Sequence, residues 1–509
     1  MRLLFVQMKN KKSDRFMLNP PYGLLYISAV LCQSGAEVKI FDMNMEFHGK
    51  DVNFEDIYTI VDTWKPDIVG ISGMTSCFKC AKEFSEDFKN RYPLIPLVGG
   101  GLLISSDPVV VMQNTKIDIG CVGEAEEIVV DLFQRIYENK DLDDIKGLAL
   151  RKGGEIQITG GKISSLGRRS RTTDGIDWIP FPAYDLIDLE RYFQFQDFCD
   201  GLLTKHLNKH GRKREEIAHI NPYAMPLFAG RGCPFNCVFC FSTMDKKPVK
   251  HSVDYVIKHL EHLENTYGLN HFQFLDENFN INKDWVMEFC KKIGERGNKY
   301  YFTTGNRNRV GYFDPEMLAA MKNANFYDVS IGVESLDDNA LKEMTRGVAS
   351  DKVIETLKLI MDAGIEQEHV RCLYGFPSDN MQTLYNTIKK GNALGYKTVF
   401  ALVIPLPGTR LFNGCVEKGI IKDKAAFFEE LYDGDGYRNL TSFKSVEEIL
   451  SVLTKANNYS EIDFDLRHKN YLSALKGIKK YMRYSASQFL EKTHLKPYVS
   501  KVKGLLKHS

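Results

Sequence analysis

No stretch of this 509-residue sequence approaches the roughly 18 consecutive apolar residues that cross a bilayer. Charge of one sign is missing as well: 67 Lys and Arg stand against 66 Asp and Glu, so no global field points to nucleic acid. Nor is there a paired-cysteine framework. The eleven cysteines are an odd number without regular spacing, which argues against a secreted disulfide scaffold and for a reducing, cytoplasmic compartment. The opening "MRLLFVQMKNKK" has too short an apolar stretch for a secretion signal, and its charges follow that stretch. It reads as a first strand. What is present excludes disorder: 43% of residues are hydrophobic, enough for full cores, and the length predicts two or three domains.

The first ~145 residues alternate strand and helix. Strands are expected at "RLLFVQ", "EVKIFD", "DIVGIS", "PLVGGG" and "DIGCVG", with helical patterns between and after them. That alternation predicts a parallel sheet wound on both faces, with ligands beyond the carboxyl ends of its strands. The loops there are "SGMTS" (72–76), "GGGLLIS" (99–105) and "GEAE" (123–126). Their small residues fit two readings: close approach of a large planar ligand, or tight turns.

Residues 146–225 are mixed. "DWIPFPAYDLIDLERYF" predicts a linker that packs on its neighbours, and "KHLNKHGRKREE" a solvated loop or exposed helix. From Pro226 the alternation resumes. Six strand–helix repeats follow in about 190 residues, the pattern of a partial parallel barrel with its working end where the strands finish. The last ~95 residues are helical in pattern. From Leu466 onward eleven Lys and Arg face one acid, Glu491. A basic amphipathic tail suits an anionic membrane surface or an acidic substrate, and equally a soluble helix with a lysine face.

Within that second alternation stands "AGRGCPFNCVFCFST", residues 229–243, with Cys233, Cys237 and Cys240 inside eight positions. A disulfide fails on compartment. Structural zinc wants four ligands and paired knuckles, and no second pair is near; the "CFKC" of Cys77 and Cys80 lies in the other half, at the start of a helical pattern. A redox CxxC leaves Cys233 unexplained. An iron–sulfur cluster remains. A four-iron cluster is normally held by four thiolates, so three leave one iron open for a ligand.

The spacing C-x3-C-x-aromatic-C, with Phe239 in the aromatic slot, resembles the radical S-adenosylmethionine (SAM) superfamily. The resemblance implies a [4Fe-4S] cluster on Cys233, Cys237 and Cys240. Its open iron chelates SAM, and one electron splits the sulfonium to methionine and a 5′-deoxyadenosyl radical. It implies further that Asp276 and Glu277, ending the second barrel strand, accept the methionine ammonium; the alternative is an acid pair on the surface. Gly332-Val333-Glu334-Ser335 is similar to the family's GIES element, with Glu334 on the ribose hydroxyls and Ser335 assisting. Arg307 is the candidate for the methionine carboxylate, with Arg309 its rival and a surface charge the plain reading. "GFP" (375–377) and "PGT" (407–409) resemble recurring family loops that shape the cavity.

The segment "NPPYGLLYISAVLCQSGAEVKIFDMN" and the later "VGEAE" resemble the cobalamin-binding domain that precedes many such enzymes. That implies cobalamin over Ser72, Gly73, Thr75, Gly99, Gly100, Gly101, Gly123 and Glu124. The base-off signature D-x-H-x-x-G is absent. His48 precedes a glycine without the aspartate and reads as a surface histidine, so the lower face of cobalt should lack a histidine from that motif. The expected fold is α/β: a doubly wound, Rossmann-like cobalamin-binding sheet, a partial (βα)6 TIM-like barrel and a helical extension. The expected domains are 1–145, a linker or capping region 146–225, the barrel 226–415 and a helical domain 416–509.

The implied function is methyl transfer to an unactivated carbon of a small-molecule or lipid substrate, fed by a flavodoxin or ferredoxin-type electron donor. The alternatives are a cyclase, oxidant or rearranging enzyme without methyl transfer and, more remotely, a sensor of cobalamin or cluster.

Overall fold

Apolar strands that are buried on both faces read as continuous hydrophobic runs, and β1 (Arg2–Gln7) is one: Leu3, Leu4, Phe5 and Val6 have almost no exposed surface. The computed structural model of the protein describes residues 1–11, 18–160, 175–195, 197–241, 246–365, 367, 369–468, 470, 473–474 and 476–478. It divides into two compact units, Met1–Asn308 with Ala319–Asp328 and Pro405–Gly436, and Arg309–Leu318 with Val329–Ile404 and Tyr437–Ser509.

In the first unit β1 is flanked in parallel by β2 (Glu37–Asp42) and β3 (Ile68–Ser72); β4 (Leu97–Gly100) and β5 (Ile119–Cys121) continue outward. All five expected strands are present. The order 2-1-3-4-5 has its switch point between β1 and β3, where ligands of such sheets sit.

The sheet does not stop at residue 145, where the expected boundary fell. A hairpin, β6 (Leu148–Lys152) and β7 (Glu155–Ile158), extends it antiparallel to β5. The turn between them is Gly153-Gly154, both with positive φ, the backbone a two-residue hairpin needs. That glycine pair was the available signal.

The expected linker does pack on its neighbours: Tyr184 is buried and its ring lies edge-on to Tyr22. "KHLNK" (205–209) ends the helix Asp197–Lys209, the helical of the two expected readings. Leu203 and Leu207 close over Ile217, Ile220 and Tyr327.

β8 (Met225–Leu227) leads into the short β9 (Gly230–Arg231), which pairs antiparallel with β10 (Val249–Lys250). The helix Val253–Tyr267 follows. It is capped by the Ser252 hydroxyl and closed by Gly268, and buries the expected face Val253, Val256, Ile257, Leu260 and Leu263. β11 (His271–Phe274) lies between β8 and β12 (Tyr301–Asn308), all parallel, with β13 (Phe326–Ile331) at the far edge of that sheet.

In the second unit β14 (Val370–Tyr374) pairs in parallel with β15 (Thr398–Leu402), and Glu334 bridges to Cys372. The six barrel strands thus occur in the expected order.

The expected domain 416–509 is not one body. The helix Lys424–Asp433 belongs to the first unit. It buries Phe427, Phe428 and Leu431, with Phe428 edge-on to Phe78 of the helix Phe78–Arg91 and Glu429 paired to Lys82 at 2.7 Å. The helix Val446–Arg467 belongs to the second unit. It is tied by Asn457, whose side chain accepts from Phe400 N–H and donates to Phe400 C=O. An aromatic face on one helix and an amide on the other choose different partners. Most of the basic tail lies outside the described residues. Among the described residues no helix is long and apolar enough to cross a membrane.

Candidate functional site

The N-terminal sheet ends in a cleft open to solvent, with about 1250 Å³ of space when the solvent at its mouth is included. Gly70, Gly99 and Gly100 line its floor, with Val98 and Cys121. Tyr22 and Tyr26, one helical turn apart on the helix Tyr22–Gln33, form one side, and Val129, Leu132 and Phe133 extend it into the apolar core. A Cβ on Gly100 would meet nothing within 4 Å, so its backbone faces empty space. Gly101 holds φ +69, and a Cβ there would come within 2.6 Å of Ser72 Oγ; only glycine fits that turn. Of the residues expected here, Ser72, Gly99, Gly100, Gly101, Gly123 and Glu124 line the cleft.

Gly73 and Thr75 do not. A Cβ on Gly73 would meet Cys77 Sγ, and Thr75 donates to Leu102 C=O; both serve the packing under the loop. No histidine is among the lining residues. His48 rests against Phe195, in keeping with a structural role.

Cys77 and Cys80 are buried in the core, and burial pushes both thiols up, Cys80 to about 12. They are inert packing groups.

The cysteine loop starts at β9. Gly232 turns it with φ +90. Cys233 and Cys237 are partly exposed and Cys240 exposed, and none of the three is in a disulfide. Three residues after β11 hold the loop in succession. Asp276 accepts from Ala229 N–H (2.7 Å) and pairs with the Lys250 ammonium (2.9 Å). Glu277 accepts from Gly232 N–H (3.2 Å), and the Asn278 amide donates to Cys233 Sγ (3.0 Å). Burial, with Asp276 close by, raises the Glu277 carboxyl above its usual range.

From the other side Arg410 donates to Asn236 C=O and Leu411 N–H to Val238 C=O. Phe239 is half-buried in the loop. Among the described residues no three His, Cys, Asp or Glu side chains converge as a ready metal site. The donor set, three solvent-reachable thiols anchored from both flanks, fits a cluster with one open iron.

The cleft and the cysteine loop share a wall. Phe228, Gly230, Arg231 and Glu277 line the cleft from the loop side. The Arg231 guanidinium lies 2.7 Å from Glu126 Oε1 and 3.9 Å from Glu124 Oε1, and 5.0 Å from the centre of the Tyr26 ring. Burial alone would weaken its charge; Glu126 and Glu124 outweigh that and raise its pKa above the ordinary value. Burial likewise opposes the charge on Glu126, yet Arg231 keeps that carboxyl below its usual range.

The remaining expected residues lie in the second unit or at its border. Glu334 is buried and holds φ +61, a left-handed backbone that costs a residue with a Cβ about 1 kcal/mol or more. The strain is held by Glu334 N–H to Arg371 C=O and by Leu373 N–H to Glu334 C=O. Ser335 Oγ accepts from Asp337 N–H, and Gly332 C=O accepts from Arg346. Arg309 is buried; the Arg307 side chain lies outside the described residues.

Sequence reasoning missed Tyr22, Tyr26, Glu126, Arg231 and Asn278. Two tyrosines four apart on a helix and a charge set between glycines in "AGRGC" were the available signals.

A doubly wound sheet with a glycine-edged cleft, joined to a parallel βα array whose first loop carries three cysteines, defines a two-cofactor α/β protein. The comparisons with known proteins agree. The radical SAM superfamily matches residues 227–391, and the B12-binding domain residues 17–133. An uncharacterised methyltransferase of Pyrococcus horikoshii is 28% identical over 406 residues, 79% of this chain and 80% of its own length. Cytidylyl-2-hydroxyethylphosphonate methyltransferase of Streptomyces wedmorensis is 24% identical over 501 residues, covering 88% and 86%. The solved radical SAM methyltransferase TsrM of Kitasatospora setae superposes with a TM-score of 0.64 at 16% identity, over 86% of this chain and 83% of that one. The chain thus carries a radical SAM domain preceded by a B12-binding domain.

Proposed function

We propose that this protein methylates an unactivated carbon of a small-molecule or lipid substrate, with SAM, a [4Fe-4S] cluster and cobalamin as its cofactors. The observation that carries the reading is the shared wall: Arg231 and Glu277 line the glycine-edged cleft, and Glu277 also bonds the residue next to Cys233. When bound, the groups supply one-electron cleavage of SAM to a 5′-deoxyadenosyl radical and methyl delivery from cobalt.

The chain's own residues hold and orient. Cys233, Cys237 and Cys240 supply thiolates. Asn278 donates to the sulfur of Cys233, which lowers the cost of added negative charge there. Asp276 accepts from Ala229 N–H on one oxygen and faces the Lys250 ammonium with the other, whereas Glu277 gives one oxygen to Gly232 N–H and keeps the other. Of the pair it is Glu277 whose remaining acceptor capacity suits the methionine ammonium, with Asp276 holding the loop beside it. Glu334, with Ser335, takes the ribose hydroxyls, Arg307 the carboxylate, and Phe239 packs beside the cluster. Ser72, Gly99, Gly100, Gly101, Gly123 and Glu124 border the corrin; the open face of Gly100 admits a flat body against backbone. Gly73 and Thr75 support that border from behind. Such placement keeps a radical away from water and side reactions.

An acidic flavodoxin or ferredoxin supplies the electron, and the basic stretch after Leu466 offers a weak contact for an anionic membrane surface.

The test is anaerobic reconstitution with cobalamin, SAM and strong reductant, followed by chromatography of the nucleosides. S-adenosylhomocysteine formed together with 5′-deoxyadenosine is the expected result. Deoxyadenosine alone would turn the reading to a cyclase, oxidant or rearranging enzyme, and neither product to a sensor.

A further inference from the structure

We propose that Arg231 is a positioning residue that couples occupancy of the glycine-edged cleft to the grip of the cysteine loop on its cluster. The inference rests on the cofactor assignment above and goes beyond it. Arg231 stands two residues before Cys233, on a strand of only two residues whose partner strand carries Lys250. Its side chain is 11% exposed, and Glu126, 2.7 Å away, is 8% exposed. A buried charge pair of this kind fixes geometry, because either partner left alone is an uncompensated buried charge. One guanidinium nitrogen, Nη1, lies 2.7 Å from Glu126 and 3.9 Å from Glu124, while the planar face lies over Tyr26.

All four groups line the cleft. A body filling it therefore touches the same carboxylates that orient the backbone leading to Cys233. Glu277 adds a second tie of the same kind, lining the cleft and accepting from Gly232 N–H. Two ligands that bias one set of contacts must influence each other, and the coupling is reciprocal: a filled cleft stiffens the cluster loop, and a filled cluster loop firms the cleft.

The experiment uses the full chain with its cluster reconstituted. Iron release to a ferrous chelator is timed anaerobically with and without saturating hydroxocobalamin, and cobalamin binding is followed in parallel by visible absorbance. In the wild-type protein, cobalamin is expected to slow iron release by about tenfold. In Arg231→Gln, and equally in Glu126→Gln, both cofactors load but the ratio falls towards one. Arg231→Lys keeps the charge and loses the planar face over Tyr26; it is expected to fold and to retain about threefold, which keeps the test alive if the glutamine variants do not fold. A purely structural role would lower the melting temperature in all three variants and leave the ratio at its wild-type value; that result overturns the proposal. Cobalamin bound to the wild type without slowing iron release overturns it too, and leaves the cofactor assignment standing. Failure of the wild type to bind cobalamin at all overturns both.

Discussion

The two sets of strand ends in the first unit are built from the same strand–helix repeat and finish in opposite ways. β3 and β4 of the N-terminal sheet end in Ser72 and Gly99-Gly100, with Gly101 next, and leave space. β11 runs on into Asp276, Glu277 and Asn278, and each of these side chains bonds a residue on the strand or loop that carries the cysteines. A large flat cofactor needs backbone it can approach. A cluster needs a loop held in place before the metal arrives. One fold class supplies both by changing only the residues at the carboxyl end of each strand.

The sharpest break of that comparison removes what the second set holds. Cys233→Ser, Cys237→Ser or Cys240→Ser should reduce anaerobic 5′-deoxyadenosine to background, a loss of at least about 1000-fold on the scale of removing a catalytic centre. Cobalamin absorbance in the same variants should persist, because the cleft is lined by other residues. Nucleoside chromatography and a visible spectrum of one sample check both halves.

The reverse experiment fills the first set. Gly100 has φ −150, which any residue adopts, and open space where a Cβ would stand. Gly100→Leu should therefore fold and block the cleft, weakening cobalamin by about 100-fold, roughly 2.7 kcal/mol, with iron content unchanged. Equilibrium titration with hydroxocobalamin reads the first, and a colorimetric iron assay the second.

The difference between the two sets also decides what could be read from sequence. Glycine-rich strand ends, the cysteine spacing and the six-fold alternation are local patterns, and the five N-terminal strands, the triplet and the barrel strands fall where the pattern puts them. Asp276 and Glu277 were legible as residues at a strand end, but not the loop N–H groups they accept from. Arg231 stands out in the sequence only as a charge between two glycines, and Asn278 only as the residue after the acid pair: their partners, Glu126 and Cys233, come from distant segments, and pairing across segments is settled by tertiary packing. The hairpin β6–β7 had its Gly-Gly turn in plain view. The division of residues 416–509 had no such signal, since both parts are amphipathic helices and only the partner surface distinguishes them.

Asn278 sharpens the comparison at smaller scale. Its amide donates to Cys233 Sγ at 3.0 Å. Hydrogen bonds to cluster sulfur stabilise the more negative, reduced state and raise the potential. Asn278→Leu keeps the volume and removes the donor. The midpoint potential should fall by about 59 mV, a tenfold change in the ratio of oxidised to reduced cluster for one electron, read by redox titration with paramagnetic resonance. A potential unchanged by the substitution would leave the residue a mere spacer.

The smallest effect on the chemistry is expected at the other end of the same strand. His271 opens β11, fully buried, with Nδ1 against Asn221 C=O (3.0 Å) and Nε2 against the Tyr327 hydroxyl (2.8 Å). Burial drives its pKa from 6.5 down to about 4, with the Asn221 carbonyl and Asp200 opposing the fall and Arg214 adding to it. Above pH 6.5 neither the folded nor the unfolded chain protonates this ring. Below that the unfolded chain takes up the proton first, so the stability contribution of His271 is full above about 6.5 and is lost as pH falls towards 4. The loss is on the order of 3 kcal/mol when complete. Thermal unfolding of the cluster-free protein between pH 7 and 5 should show it, and His271→Gln should flatten the slope while lowering stability at pH 7. Deoxyadenosine formation at pH 7.5 and 10 °C below the melting point should change less than about twofold. If instead the potential or turnover moves with His271, the amino end of the strand belongs to the working end too, and the contrast drawn between strand ends fails.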